Sequence, residues 1–400
     1  MHCIHSKYFF IYLLLGSIIF SFSLSCNSGS STELYDEIET ALLEIKKSTV
    51  PDRRVAILDF ELSEDGSKIT GKTSNDKAYQ LILQLKEKYP SINLDSFHIV
   101  EPMGYGVIHV SVCNMRSQPK HSGELSTQAL LGHPITLWDQ QGDWYYIQSP
   151  DQYLGWLDKG AFTQYSSGEL TEYRSKSKII FKQDFGFCYT HPNTSSEVVS
   201  DLVAGDILQI VDSIKDYYKV EFPDGRQGYV LIDQCFEQQP FSWTTAPEWA
   251  DIESTAKQFM GRPYLWGGTS GKGVDCSGFT KMVYYLNGLV LPRDASQQVH
   301  VGKPIEIDDN LSNLQPGDFL FFGKKGENGN PDKVSHVAIH LQDGEIIHSA
   351  QRVQIESLNP NHDHFNVDRR NTLLSARRML TQEGLQQGVI PLLKNSNYAW

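Results

Sequence analysis

The sequence predicts a multidomain α+β chain: a small N-terminal α/β unit, two small β-barrels and a larger α+β domain that carries the chemistry. Three observations predict it. Helical and strand periodicities alternate from Thr32 to Val100, a set of residues recurs at constant displacement in the middle, and a glycine-rich loop runs into an amphipathic helix in the last third. With 400 residues and 40% hydrophobic content the chain can build several cores, whereas a single core stops growing near roughly 250 residues. The formal net charge of -13 is spread along the chain, which argues against a phosphate-tracking protein and excludes nucleic acid as an expected partner.

At the N-terminus, Lys7 precedes an apolar run from Tyr8 through Leu15 and Ile18 to Phe22, which ends in small residues and Cys26. Over 1–26 this reads as a secretory signal, because the run falls short of the ~20 residues that span a bilayer. Ser25 and the stretch Asn27 to Ser31 resemble a lipoprotein junction, although Ser23 departs from the usual aliphatic residue there. The expectation is an exported protein of the periplasm or cell envelope, attached to the membrane through a lipid on Cys26; plain secretion is the alternative.

Over 32–104, Leu34, Ile38, Leu42 and Ile45 recur at helical spacing, and Ala56, Leu58, Phe60 and Leu62 alternate as a strand does. The Glu64-Asp65-Gly66 turn then predicts a hairpin. A second helix with Ala78, Leu81, Ile82 and Leu85 on one face ends before Pro90, and a last strand lies near Phe97 to Val100. No cluster of nucleophile, base or metal ligands marks this α-β-β-α-β unit, so a spacer or docking role is the default.

The middle of the chain is an internal repeat. Pro119, Gly132, Trp144, Pro150, Asp151 and Gly155 recur as Pro192, Gly205, Tyr217, Pro223, Asp224 and Gly228, each displaced by 73 positions. Short strands separated by Gly, Asp and Pro turns predict a small β-barrel in each copy, over 105–168 and 175–240. The pattern resembles the bacterial SH3-like domains of exported wall-binding proteins. Apart from Cys3 and Cys26, the cysteines are Cys113, Cys188, Cys235 and Cys276, too few for a disulfide scaffold. Cys188 and Cys235 are read as buried small side chains, a pairing within one domain being the alternative. A linker at 238–247 leads to the last domain, 246–385.

There Pro263-Tyr264-Leu265-Trp266-Gly267-Gly268 and Gly271 to Val274 lead into Asp275-Cys276-Ser277-Gly278. Phe279, Met282, Val283 and Leu286 define one apolar helix face, and Asp275 is its N-cap. Cys276 therefore sits in the first turn, where unsatisfied amides and the helix dipole favour an anion, lower a thiol pKa and could stabilise an oxyanion. Its base is sought in the hairpin Ser335-His336-Val337-Ala338-Ile339-His340-Leu341 and Ile346-Ile347-His348-Ser349-Ala350. Alternation places His336 and His340 on one face and cannot choose between them. Register adds a test: a three-residue Gln342-Asp343-Gly344 loop with left-handed glycine pairs His348 with Ala338, on the face of His336, whereas a two-residue turn turns it away. His348 could then orient the base. His362 and His364, flanking Asp363, read as a solvated turn; neither metal nor cofactor is expected.

The Asp275-Cys276-Ser277-Gly278 motif, Ser335-His336 and His348 resemble the NlpC/p60 family of papain-like cell-wall peptidases over roughly 250–380. That resemblance implies a papain-like α+β domain with Cys276 as nucleophile, His336 as base, His348 as the polar third member and Tyr264 flanking the cysteine. His340 has no counterpart, and a half-exposed strand histidine is expected. Two SH3-like domains before such a domain resemble the γ-D-glutamyl-L-diamino-acid dipeptidyl peptidases, whose first SH3-like domain walls off the substrate cleft. The resemblance implies that Glu124, Tyr153 and Asp294 with Ala295 hold the free amino end of L-Ala-γ-D-Glu, with Asp275, Ser277 and Ser335 also at the substrate. A buried ammonium needs such carboxylates, and a site shaped for it rejects an acylated amine. An endopeptidase on intact wall, a catalytically idle wall-binding module and an acyltransferase on the same architecture are the rival readings.

Overall fold

The computed structural model describes residues 28–237, 247–327 and 329–398. The expected leader, its Cys26 junction and most of the linker at 238–247 lie outside them. Among the described residues no helix is long and apolar enough to cross a membrane.

The N-terminal unit has the expected order. Helices Ser28–Thr49 and Asp76–Lys88 pack on a three-stranded sheet of Leu58–Leu62, Lys68–Thr73 and Asn93–Ile99, around buried Ile38, Leu42, Ile69, Ala78 and Ile82. The first two strands are an antiparallel hairpin, and the third runs parallel to the second, as a crossover through a helix requires. Asn75 caps the second helix by accepting from the Ala78 amide.

Each repeat copy folds as a seven-stranded barrel. Strands Val112–Arg116, Leu125–Leu130, Pro134–Gln141, Trp144–Gln148 and Leu154–Asp158 recur as Phe185–Tyr189, Val198–Val203, Ile207–Ile214, Tyr217–Glu221 and Gln227–Leu231, the same 73 positions on. The irregularities recur as well. A register shift between Leu137 and Asp139 returns between Ile210 and Asp212, and the closing bridge Arg116–Trp156 returns as Tyr189–Tyr229. Bulges bend a strand enough to close a small barrel, so their repetition follows from the repeated shape. Between the copies stands a short helix, Ser167–Ser175, opened by a Ser166/Glu169 capping box. Cys113, Cys188 and Cys235 are buried free thiols inside the barrels, so Cys188 and Cys235 do not pair.

The last domain is a six-stranded antiparallel sheet in the order Lys303–Ile305, Leu373–Arg378, Asp318–Lys324, Lys333–His340, Glu345–Ala350, Arg352–Ser357. Helix Cys276–Tyr285 packs across Lys333–His340 and Glu345–Ala350. Two expectations need correction. The helix is buried on every side rather than along one apolar face, because the barrels close over its outer surface. Its Lys281 is only 8% exposed and pairs at 3.1 Å with Asp151 of the first barrel. The domain also runs past 385: Ile390–Pro391 pairs with Leu289–Val290, and Tyr398 packs against Tyr285 and His133. One core therefore joins both barrels to the last domain, with Leu130 of the first barrel and Ile180, Val203 and Ile207 of the second packed on its helix and sheet.

Candidate active site

The loop before Cys276 is pinned from both sides. Gly267, at φ +75, lies where a Cβ would come within 2.3 Å of the Leu125 carbonyl oxygen, so only glycine lets the loop touch the first barrel. A Cβ on Gly278 would stand 2.0 Å from the Gly268 carbonyl oxygen, which lets the helix start against the same loop. Asp275 is the N-cap, as expected, with Oδ1 accepting from the Gly278 amide at 2.7 Å and Oδ2 from the Gly267 amide at 3.0 Å. Arg293 donates to both oxygens, at 3.1 and 2.7 Å, and its Nε donates to Thr127 of the first barrel at 2.8 Å. Asp275 is thus committed to holding loop, helix and barrel together, and Ser277 shares that network by accepting from Arg293 at 3.1 Å. Within the protein, these contacts engage the side-chain oxygens of both residues. Burial opposes the charge of Arg293, but the Asp275 carboxylate more than offsets this and raises its pKa.

Cys276 heads the helix at 7% exposure. Its thiol is pushed up to about 11, by burial first and the neighbouring Asp275 charge second, against the lowering effects of the Val337 and Ser277 amides and Arg293. The expected lowering by the helix dipole is therefore outweighed: an enclosed sulfur loses more hydration than the first turn returns. The amide of Val337 at the thiol places the strand bearing His336 against the nucleophile.

The hairpin adopts the three-residue loop. Ile339 pairs with Ile347 and His340 with Ile346, and Leu341 donates to the Glu345 carbonyl, leaving Gln342, Asp343 and Gly344 in the turn. Both Asp343 and Gly344 are left-handed, at φ +49 and +78. Continued register sets His348 opposite Ala338, and His336 Nε2 lies 2.7 Å from His348 Nδ1 with the rings edge to face. Beyond it, His348 Nε2 stands 3.1 Å from Glu356 Oε2, a charge contact that misses good hydrogen-bond alignment. Glu356 also accepts from Gln354 and Asn366, both at 2.9 Å, and contact with His348 holds its carboxyl below the usual range despite burial.

These contacts select the tautomers. The Glu356 charge beside Nε2 favours a proton there on His348, leaving Nδ1 as acceptor; in that tautomer His336 donates from Nε2 and keeps Nδ1 as the free base. Burial, with His348 and Arg369 adding to it, holds the His336 pKa well below the ordinary histidine value, so the ring is neutral. Sequence reasoning missed Glu356 and Arg293. The alternation of Gln354 and Glu356 beside the hairpin and the adjacency of Arg293 to Asp294 were the available signals. His340 is a correction: it is 3% exposed rather than half-exposed, and its Nδ1 bonds the Gln315 carbonyl at 3.0 Å.

Tyr264 is half-buried beside Cys276, and burial followed by the Cys276 and Asp275 charges raises its phenol pKa. Ser335 is exposed next to His336. Tyr153 and Asp294 meet across the barrel interface, Tyr153 Oη donating to Asp294 Oδ2 at 3.1 Å with Ala295 buried beside them. Glu124 is exposed and has a different partner, accepting from Trp266 Nε1 at 2.7 Å. At the hairpin tip Glu345 joins His362 and His364, their ligand-type atoms lying within 4.8 Å of one another. His364 bonds Glu345 and His362 approaches Asp343, so these imidazoles pair with carboxylates already.

Residues 261–369 match the NlpC/P60 family, 115–162 the bacterial dipeptidyl-peptidase SH3 domain and 184–232 the bacterial SH3 domain. The chain is 29% identical over 250 residues to a gamma-D-glutamyl-L-lysine dipeptidyl-peptidase of Bacillus cereus, covering 60% of this chain and 72% of that protein. It is 26% identical over 283 residues to dipeptidyl-peptidase 6 of Lysinibacillus sphaericus, covering 67% and 96%. Among solved structures, an NlpC/P60 family protein from Bacillus cereus superposes with a TM-score of 0.58 at 25% identity, over 69% of this chain and all of that one.

Proposed function

We propose that this chain, a cysteine-type hydrolase with an NlpC/P60 domain behind two bacterial SH3 domains, hydrolyses the γ-D-glutamyl–diamino-acid bond of peptidoglycan stem peptides and releases L-Ala-γ-D-Glu from substrates with a free N-terminal L-Ala. The observation that carries the proposal is the Tyr153–Asp294 contact, which sets a carboxylate between the first barrel and the catalytic domain, next in sequence to the Arg293 that binds the Asp275–Cys276 turn. A carboxylate there suits an ammonium group, and the barrel wall beside it suits a substrate that ends there. The names of the relatives point the same way.

In this reading Cys276 Sγ attacks the γ-glutamyl carbonyl carbon while its proton passes to His336 Nδ1. Negative charge on the carbonyl oxygen is met by amides of the first helical turn. Collapse breaks the C–N bond, His336 returns the proton to the leaving amine, and a thioester remains on Cys276. Water, deprotonated by His336, then releases the dipeptide acid. Neutral His336 suits a base that takes the thiol proton during attack. An envelope location, with lipid on Cys26, belongs to the same proposal, since the substrate lies outside the cytoplasm.

Cys276→Ala should abolish release of L-Ala-D-Glu from tri- and tetrapeptides, read by chromatography of products. Retained turnover, or faster cutting of intact sacculi with N-acylated stems than of free-amine peptides, would overturn the proposal.

A further inference from the structure

The N-terminal unit, which lies ahead of all three family matches, reaches the site. Arg54 Nη1 donates to Asp294 Oδ2 at 2.6 Å, the oxygen to which Tyr153 also donates, and to Ser296 Oγ at 3.1 Å. Asp52 clamps the same guanidinium through both oxygens, at 2.8 and 2.7 Å, and accepts from Gln297 Nε2 at 2.6 Å. The backbone is tied as well: the Leu154 amide, next to Tyr153, donates to the Arg54 carbonyl at 2.7 Å, and Gln148 donates to the Val55 carbonyl at 2.7 Å.

Charge and shape give these contacts a meaning. Arg54 and Arg293 face the carboxylates of Asp52, Asp275 and Asp294, two cations against three anions, so one negative charge is left over. The Asp52–Arg54 pair is neutral in itself. It leaves that surplus intact while fixing the rotamer of Asp294 through Oδ2. On its other side Arg54 lines a cavity of about 1020 Å³, together with Pro150, Ser296, Gln297, His300 and Lys394, whereas Asp294 does not line it. Arg54 therefore stands between Asp294 and an open space.

Resting on the free-amine reading above, we propose that Arg54, held by Asp52, is a specificity-determining positioning residue. It orients Asp294 toward the substrate ammonium and closes the amine end of the site against the neighbouring cavity, so that the N-terminal unit helps to exclude acylated stems. A fixed guanidinium loses little freedom when its fork is already paired, which suits a strut better than a displaceable plug.

The test compares L-Ala-γ-D-Glu-L-Lys with its N-acetyl derivative on the full chain. Arg54→Ala should raise KM for the free peptide about tenfold with kcat within about twofold, and should reduce the preference for the free amine by a similar factor. Arg54→Lys should restore part of both, and Asp52→Asn should give an intermediate KM; thermal melts confirm folding. An unchanged KM and preference in Arg54→Ala would make Arg54 an interdomain tie with no part in specificity, and a lowered KM would make it a blocker. Either result overturns the inference alone. A wild-type enzyme that cleaves both peptides equally overturns the free-amine reading and the inference with it.

Discussion

At Cys276 two local effects oppose each other, and their magnitudes decide the resting state. The first helical turn contributes at most ~2 kcal/mol toward an anion, whereas burying a thiolate beside the Asp275 charge costs more, and the thiol sits near 11. With His336 held neutral, the resting pair across neutral pH is thiol and imidazole rather than thiolate and imidazolium. Alkylation of Cys276 by iodoacetamide, followed by peptide mass spectrometry, should therefore keep accelerating from pH 7 to about pH 10. A plateau already reached by pH 6 would mean a preformed ion pair.

Among the elements, three neighbouring strands carry the relay. The hairpin turn sets His348 opposite Ala338, and the next strand runs Ile346 against Glu356 and His348 against Gln354, which brings Glu356 diagonally to the His348 ring. Because the tautomers of both histidines follow from that carboxylate, Glu356→Ala should lower kcat roughly 10–100-fold while leaving KM and the melting temperature near wild type. A loss confined to KM would contradict the relay. The hairpin was legible from the Asp343-Gly344 pair and the spacing of the histidines, but the choice between a two- and a three-residue turn was decided only by the observed register. Glu356 was not legible, since a glutamate on a strand facing a histidine looks the same in sequence as one facing water.

Over the whole molecule, both barrels pack against the helix and sheet of the last domain. His133 of the first barrel shows the consequence: it contacts Tyr285 Oη at 3.1 Å and packs on Tyr398, and burial, aided by the Lys281 charge, lowers it to about 3. A histidine depressed in the folded state contributes stability that is present above its unfolded pKa of ~6.5 and is lost as pH falls toward the folded value. His133 and His336 should each remove up to about 1.4 kcal/mol per pH unit below 6.5. The melting temperature should fall from pH 7 to pH 5, and fall less in His133→Gln. A pH-independent melt would show that the interface does not bury these rings as neutral groups.

Local spacing alone determined the domain order, the repeat down to its displacement of 73 positions, Cys276 at a capped helix start and the hairpin that carries the histidines, though not which of two turns joins it. Each is written within a few residues or in a fixed period, where steric and hydrogen-bonding rules act directly. Tertiary packing decided the burial of the catalytic helix on every side, the raised thiol, the enclosure of His340 and the Arg54–Asp294 contact. That contact joins residues 240 positions apart. Burial and pairing of this kind depend on which surfaces meet, and a charged side chain has no local pattern that announces its partner.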